Sequence, residues 1–179
     1  ILFFSCEPGG AEVLIPVIEL LKENNYVTSV LAYGYALERF RRKNIAVIEI
    51  EKVEQNDYGI FKKFQPDIMI TSAASLPHVD MSEKNIWHNA KREGVISMAF
   101  LDQWQNYTLR FSGVEVCDRL KYLPDHINCI NETGRQEMIR EGFPEDRLIA
   151  FGHPYLSDIF ERYAALDADA VVSALEIAS

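Results

Sequence analysis

The sequence predicts an α/β fold in which a doubly wound, mostly parallel sheet has helices on both faces. Short apolar, β-branched runs alternate with segments of helical periodicity along almost the whole chain. This alternation is typical of parallel sheets with crossover helices. The predicted strands are also continuously apolar, as expected where helices cover both faces of a sheet. A length of 179 residues suits one compact domain with a sizeable core.

Seven strands are predicted, at Ile1–Ser5, Val27–Tyr33, Ala46–Ile50, Ile68–Thr71, Val95–Leu101, His126–Ile130 and Leu148–Phe151. The helices lie between or after them, at Glu12–Glu23, Tyr35–Arg42, Gln55–Phe64, Glu83–Arg92, Glu132–Glu141 and Leu156–Ala165. In the first helix, apolar residues recur at the three- and four-residue spacing of one buried face, at Leu14, Val17, Ile18 and Leu21. Asn131 is predicted to cap the fifth helix and Gly142 to end it.

The predicted domain organisation is a sheet domain over residues 1–155 followed by a helical segment over 156–179. The alanine-rich stretch from Ala165 is predicted to be one more helix. The chain begins at Ile1, inside a strand and without an initiating Met. We therefore expect a longer natural protein, in which the C-terminal segment crosses to a second domain.

Composition excludes several classes of protein. The formal net charge is −9 and the isoelectric point is near 4.9, so the chain is not expected to bind nucleic acid. No apolar run approaches the length of a membrane span. Three widely spaced cysteines, Cys6, Cys117 and Cys129, give neither a disulfide framework nor a zinc pattern and favour a cytoplasmic location. Neither a GxSxG elbow nor an HExxH motif occurs, and no metal or cofactor site is predicted.

The first loop follows strand one and contains Glu7, Gly9 and Gly10. Ligands of open parallel sheets bind at the carboxyl ends of strands, and glycine allows close approach to a helix N-terminus. The loop matches neither GxGxxG nor the GxxxxGK[ST] phosphate loop, so a ligand-binding turn and a purely structural tight turn remain equal alternatives. Pro16 implies that the regular helix starts near Ile15 or that its first turn is distorted. Glu7 is the stronger indication of a site, because a carboxylate has no obvious packing role there.

The second candidate region follows strand five and reads LDQWQNYTLRF. It offers a base or hydroxyl acceptor, flat rings on which sugars stack and a cation for phosphate, in Asp102, Trp104, Asn106, Tyr107 and Arg110. The alternative is structural: the aromatic residues have helical spacing and pack on the sheet, while Arg110 pairs with Asp102. We favour the functional interpretation because so many polar groups follow one strand.

The histidines give weaker indications. His153, between Gly152 and Pro154 after the last strand, is a candidate ligand contact, although turn chemistry alone explains its neighbours. His78 and Asp80, after strand four, form a weak candidate acid–base pair. His88 and His126 are assigned no role in a site.

Read together, these stretches resemble the N-terminal half of GT-B nucleotide-sugar glycosyltransferases, a Rossmann-like domain. SCEPGGAEVLIPVIELLKE is similar to the first loop and helix of lipid-A-disaccharide synthases, and GFPEDRLIAFGHPYLSD to the interdomain crossing of those enzymes, MurG-type transferases and UDP-N-acetylglucosamine 2-epimerases. The segment LDQWQNYTLRF is similar to sugar-transferase-like proteins of surface-polysaccharide loci. The resemblance spans nearly the whole chain, through short motifs in a shared order.

The chain also departs from these families. The aspartate of the synthase pattern falls at Ala11. The arginine and glutamate of the epimerase first loop fall at Pro8 and Gly10, and TSAAS lacks the epimerase acidic motif after strand four, which disfavours a 2-epimerase. A cleft of this kind needs two domains, so a binding module remains an alternative if the gene ends near Ser179.

The resemblance implies the acceptor-side domain of a glycosyltransferase that acts on a surface glycan or glycolipid and uses a nucleotide-sugar as donor substrate. Asp102 or Glu7 would orient or deprotonate the acceptor hydroxyl, and Trp104, Asn106, Tyr107 and His153 would contact the sugars. Arg110 and the Gly9-Gly10 turn would face the donor phosphates. Peripheral membrane contact or a homodimer is compatible with such a role. The alternatives are a nucleotide-sugar epimerase or hydrolase and a non-catalytic nucleotide- or partner-binding module.

Overall fold

A computed structural model of the chain describes residues 1–164, in which seven parallel strands form one sheet in the order β3-β2-β1-β4-β5-β6-β7. The strands are β1 Leu2–Ser5, β2 Ser29–Ala32, β3 Ile48–Glu49, β4 Ile68–Thr71, β5 Ile96–Phe100, β6 His126–Asn128 and β7 Leu148–Ile149. The predicted doubly wound parallel sheet is therefore confirmed. The two edge strands, β3 and β7, are shorter than predicted, with two residues each, and each pairs on one side only.

Within residues 1–164, seven helices connect or follow the strands: α1 Pro8–Glu23, α2 Gly34–Arg42, α3 Gly59–Phe64, α4 Ser82–Glu93, α5 Tyr107–Arg110, α6 Glu132–Arg140 and α7 Pro154–Ala164. Short 3₁₀ turns occupy Val116–Asp118 and Glu145–Arg147. The capping predictions are confirmed, since the Asn131 side chain accepts a hydrogen bond from the Gly134 amide at 2.8 Å and Gly142 follows α6 with φ of +94°.

Two cores, one on each face of the sheet, explain why the strands are continuously apolar. In β1, Phe3 packs into the core beneath α1 and α2, whereas Leu2 and Phe4 pack into the core on the other face. Successive strand side chains point to opposite faces, so a strand covered on both sides needs apolar residues at every position.

Helix α1 begins at Pro8, four residues before the predicted start at Glu12. Proline is well suited to the first helical position because its missing N–H would have no partner there. The helix also continues through Pro16, so the prediction of a start near Ile15 is wrong. Pro16 removes only the N–H that would have bonded the Glu12 carbonyl, and packing of α1 on the sheet holds the helix together.

The structure describes only some of the C-terminal residues for which predictions are made. Helix α7 starts at Pro154, two residues before the predicted Leu156, and it packs against α1. The predicted tail helix from Ala165, and with it most of the proposed segment 156–179, lies outside the described residues.

Candidate ligand-binding cleft at the carboxyl edge of the sheet

A cleft of about 190 Å³ opens where the strand order reverses, between β1 and β4. In open α/β sheets such a reversal separates the loops of neighbouring strands and creates the usual ligand site. Three loops line the cleft: Glu7–Gly10 after β1, Ser72–Leu76 after β4, and Asp102 with Gln103 after β5. Arg110, from α5, completes the wall. Both candidate regions of the sequence thus meet in one cleft.

Gly9 and Gly10 lie in the first turn of α1, and neither has a positive φ. Their role is close packing. A Cβ on Gly9 would lie 2.4 Å from Oδ2 of Asp102, and one on Gly10 would lie 2.3 Å from Cβ and Oγ of Ser72. The amides of both glycines have no hydrogen-bond acceptor within residues 1–164, so they are available to a ligand at the positive end of the helix.

Replacing Gly10 by alanine tests this packing. We expect Gly10→Ala to lower the free energy of unfolding by about 1–2 kcal/mol, because overpacking outweighs the higher helix propensity of alanine. The matched control is Gly59→Ala in the first turn of α3, where the new Cβ meets only the exposed Asp57 carboxylate at 3.1 Å. Urea denaturation measures the free energy of unfolding of both variants. Equal effects of the two substitutions would contradict the close approach of α1 to Ser72.

Asp102 and Arg110 form a buried ion pair. Nη1 of Arg110 donates to Oδ1 of Asp102 at 2.7 Å, and the two side chains are 4% and 15% exposed. The guanidinium also donates through Nε to the Gln105 carbonyl at 3.1 Å and through Nη1 to the Ala73 carbonyl. The pairing of Arg110 with Asp102 is the one that the structural interpretation of the sequence proposed. Through Ala73, Arg110 also ties the loop after β4 to the loop after β5. Its Nη2 has no acceptor within residues 1–164.

Glu7 differs from Asp102 in having no partner. It occupies the N-cap position of α1 without capping it, and its side chain has no hydrogen bond or ion pair within residues 1–164. The side chain is partly buried and lines the cleft. The cleft thus contains one carboxylate held in place by an arginine and one that is not held by any other side chain.

The other predicted contacts lie outside the cleft lining. The Trp104 ring is 48% exposed and lies 5.9 Å from the His153 ring, while Nε2 of His153 is 3.2 Å from the Asp102 carbonyl. Trp104 belongs to the loop after β5, and His153, which follows β7, lies next to it. Asn106 adopts a left-handed φ of +59° before α5. Tyr107 is only 4% exposed and packs in the core, so its ring does not face a sugar in the cleft.

Two buried ionisable residues beneath the cleft were not predicted from the sequence. Glu83 and Lys84, in the first turn of α4, are 2% and 1% exposed. Glu83 accepts hydrogen bonds from Ser72 Oγ and the Ala74 amide, and Lys84 donates to the Ala74 carbonyl at 3.0 Å. Burial raises the pKa of Glu83 and lowers that of Lys84. The pair holds the loop after β4, and adjacent charges at a helix start usually indicate an exposed turn.

Asp80 belongs to a second polar cluster, and no hydrogen bond joins it to His78 within residues 1–164. It accepts from the Tyr33 hydroxyl and from the Ser82 amide, at 2.7 Å for the latter. Burial acts to raise the pKa of Asp80, but the hydrogen bonds from Tyr33 and Ser82 outweigh it and hold the pKa below its usual value. The His78–Asp80 pair considered from the sequence is therefore not formed.

The lowered pKa of Asp80 predicts a pH dependence of stability. A lowered folded-state pKa stabilises the fold above the unfolded-state pKa, and this contribution is lost as the pH falls through the folded-state value. We expect Asp80→Asn to lower the free energy of unfolding by about 1 kcal/mol at pH 7 and by less as the pH falls below about 4. Denaturation at a series of pH values measures the difference. Asp67→Asn, on an exposed loop, is the control, and a difference that grows toward acid would contradict the prediction.

Within residues 1–164, no group of three His, Cys, Asp or Glu side chains is placed to hold a metal ion. The helices of the same region include none long and apolar enough to cross a membrane. Cys6 and Cys129 are buried and Cys117 is exposed, all as free thiols.

No protein-family model and no curated protein sequence matches the chain. Solved structures do resemble it. UDP-GlcNAc 2-epimerase from Neisseria meningitidis, bound to UDP-GlcNAc, matches with a TM-score of 0.64 and 15% identity over 92% of this chain and 50% of its own. A glycosyltransferase from Rickettsia africae matches with a TM-score of 0.56 and 12% identity, over 93% of this chain and 50% of its own. UDP-GlcNAc 2-epimerase from Methanocaldococcus jannaschii, in complex with UDP-GlcNAc and UDP, matches with a TM-score of 0.60 and 11% identity, over 85% of this chain and 46% of its own.

The chain has the fold of one half of a GT-B enzyme. This confirms the resemblance predicted from the sequence at the level of the fold, which is what identities of 11–15% establish. The chain spans about half the length of the structures that it matches.

Proposed function

We propose that the chain is the acceptor-side domain of a nucleotide-sugar-dependent glycosyltransferase that acts on a glycan or glycolipid. The observation that carries this proposal is the cleft at the reversal of the strand order. There Glu7, Asp102, Arg110 and the unpaired amides of Gly9 and Gly10 converge in half of a GT-B fold. The nucleotide-sugar is the donor substrate, and no other cofactor is proposed.

In the proposed mechanism, a carboxylate positions the acceptor hydroxyl and takes up its proton while the acceptor oxygen bonds to the anomeric carbon of the donor sugar. The bond from that carbon to the donor phosphate breaks in the same reaction, and the nucleoside diphosphate leaves. Asp102 is the better positioned of the two candidates, because Arg110 fixes one oxygen while Oδ2 lies toward Gly9. Glu7, whose side chain has no partner within residues 1–164, would contact a second hydroxyl. Trp104, in the loop after β5, lies next to His153, and a sugar ring extending from the cleft would stack on its indole.

The glycine amides would contact a donor phosphate at the positive end of α1. Arg110 has a single unused nitrogen, Nη2, for this purpose, since Nε and Nη1 already bind protein acceptors. In a two-domain enzyme of the length of the structural neighbours, the other half would supply the remaining donor contacts.

A nucleotide-sugar epimerase is the second candidate, because several of the similar structures are UDP-GlcNAc 2-epimerases. Against it, Pro8 and Gly10 stand where the first loop of that family carries charged residues. In the loop after β4, residues 72–75 also line the cleft, and none of these four has an acidic side chain.

Product analysis separates the two candidates. The protein expressed from its complete reading frame is incubated with UDP-GlcNAc, with and without a panel of amino-sugar glycan and glycolipid acceptors. A glycosyltransferase releases UDP in proportion to acceptor and extends the acceptor by one sugar. Release of UDP together with N-acetylmannosamine in the absence of acceptor would instead favour the epimerase.

Binding to the 179-residue chain itself tests the cleft. We expect acceptor glycans to perturb the backbone amide NMR signals of Gly9, Gly10 and Asp102 and those of the loop after β4. The signals of Lys43 and Gln65, which lie outside the cleft lining, serve as internal controls. Perturbations confined to residues outside the cleft would overturn the assignment.

A further inference from the structure

A second groove, of about 400 Å³, lies between the C-terminal half of α4 and the segment that leads into β6. Its lining consists of Trp87, His88, Lys91, Arg92, Lys121, Tyr122 and Leu123, which we call the basic groove. None of these residues lines the cleft. Because α4 runs from the carboxyl end of β4 to the amino end of β5, the basic groove lies toward the amino-terminal edge of the sheet.

The basic groove gathers positive charge in a chain of net charge −9. His88, Lys91, Arg92 and Lys121 line it, and no acidic residue does. Lys121 is paired with Asp118 at 2.7 Å, but Lys91 and Arg92 have no hydrogen bond or ion pair within residues 1–164. Elsewhere in residues 1–164, a carboxylate partners Arg39, Arg41, Arg42, Arg135 and Arg162, whereas Arg119 and Arg147 bind backbone carbonyls.

Two of these basic residues, Lys91 and Arg92, lie in the last turn of α4. Their presence there has a structural explanation, because basic residues in the last turn interact favourably with the helix dipole. The dipole does not account for Lys121, which comes from the opposite wall. The pKa of His88 is lowered, first by burial and then by the charges of Arg92, Lys91 and Lys121. The groups that face the imidazole are these three cations, the Tyr122 ring and the Gln55 amide, whose nitrogen is 3.3 Å from Nε2.

The walls of the basic groove are held by contacts behind them. Trp87 donates to Oγ1 of Thr71 at 2.8 Å and stacks on Phe111 with ring centroids 5.2 Å apart. On the other wall, Arg147 donates to the Leu123 carbonyl at 3.2 Å and to the Pro124 carbonyl at 2.8 Å. The Tyr122 amide donates to the Phe111 carbonyl at 3.0 Å. A ligand would therefore meet a preformed groove, which reduces the entropy lost on binding.

We propose that the basic groove binds a phosphate-bearing ligand, with the phosphate among Lys91, Arg92 and Lys121. Guanidinium and ammonium groups are the usual partners of phosphate oxygens, and the half-buried Tyr122 ring offers a flat surface for the group that carries the phosphate. The volume accommodates a phosphate and part of its substituent. The source of the phosphate is either a soluble phosphorylated metabolite or the headgroup of an anionic lipid. This site is independent of the proposed function.

The first arm of the test uses inorganic pyrophosphate with the 179-residue chain in phosphate-free buffer. We expect binding to raise the pKa of His88, followed by its ring NMR signals, because a bound anion offsets the three cations. Lys91→Gln/Arg92→Gln is expected to weaken binding by about tenfold or more. Lys22→Gln/Lys43→Gln, which removes the same charge from exposed positions on α1 and after α2, should leave it unchanged.

The second arm uses sedimentation with vesicles of phosphatidylglycerol or of phosphatidylcholine. Binding to phosphatidylglycerol vesicles that Lys91→Gln/Arg92→Gln abolishes supports the proposal and identifies a lipid headgroup. Pyrophosphate binding without vesicle binding supports it and identifies a soluble ligand. The proposal would be overturned if neither pyrophosphate nor phosphatidylglycerol vesicles bound. It would also be overturned if both double variants lost the same amount of binding affinity. Circular dichroism of the variants establishes that each is folded, as expected for substitutions of exposed side chains.

Discussion

Arg110→Met is expected to lower the free energy of unfolding by about 3 kcal/mol. The substitution removes a guanidinium that is almost completely buried and that binds the Asp102 carboxylate and two backbone carbonyls. Methionine preserves much of the volume, so the loss comes chiefly from the Asp102 charge and the Ala73 carbonyl, which remain buried without their donor.

Urea denaturation of the wild-type chain and the variant measures this loss. The control is Arg41→Met, since Arg41 pairs with Glu49 at 3.0 Å with both side chains more than half exposed. Exposed pairs contribute little, and we expect a change within about 1 kcal/mol. An Arg110→Met variant as stable as the control would show that Arg110 does not hold the two loops. A double-mutant cycle with Asp102→Ala, which removes the acceptor oxygens, measures the coupling energy between the two side chains.

Asp102→Asn is expected to reduce glycosyl transfer by about 100-fold or more, on the proposed function. Asparagine keeps the shape of the side chain and still accepts a hydrogen bond from Arg110, but it cannot take up the proton of an acceptor hydroxyl. Glu7→Gln is expected to have a smaller effect, of about tenfold, because no other side chain within residues 1–164 positions Glu7 and we assign it only substrate contact.

Transfer rates of the protein from the complete reading frame, measured at saturating acceptor, test this difference. The comparison is made at a temperature where circular dichroism shows each variant to be folded, because Asp102→Asn also weakens a buried pair. Asp67→Asn, at an exposed position far along the chain from either carboxylate, is the control. If Glu7→Gln lost more activity than Asp102→Asn, the roles of the two carboxylates would be reversed.

The glycine pair of the first loop shows how far the sequence predicted the site. Its position after the first strand placed it correctly at the cleft, from the rule for parallel sheets. Its purpose was left open between a ligand turn and a structural turn. The structure shows close packing of α1 against Ser72 and Asp102, residues that are far away in sequence. No local pattern reports a contact of that kind.

The aromatic residues of the second candidate region illustrate the opposite case. Trp104 and Tyr107 are similar in the sequence, and both were predicted to line a sugar site. In the structure Trp104 is half exposed, whereas Tyr107 is buried with its hydroxyl 3.4 Å from Glu137 of α6. Trp104 lies in the loop before α5, whereas Tyr107 is the first residue of that helix, Tyr107–Arg110. Whether so short a helix forms depends on what it packs against.

Local sequence was enough to predict the alternation of strands and helices, the parallel sheet and the edge at which polar loops collect. These features follow from periodicity and local chain geometry, which are properties of neighbouring residues. The assembled fold was needed to show that Arg110 binds Asp102 and Ala73, that Glu83 and Lys84 are buried beneath the cleft, and that Lys121 lies opposite α4 in the basic groove. Burial and electrostatics depend on residues brought together across the fold, and their partners are set only when the sheet is assembled.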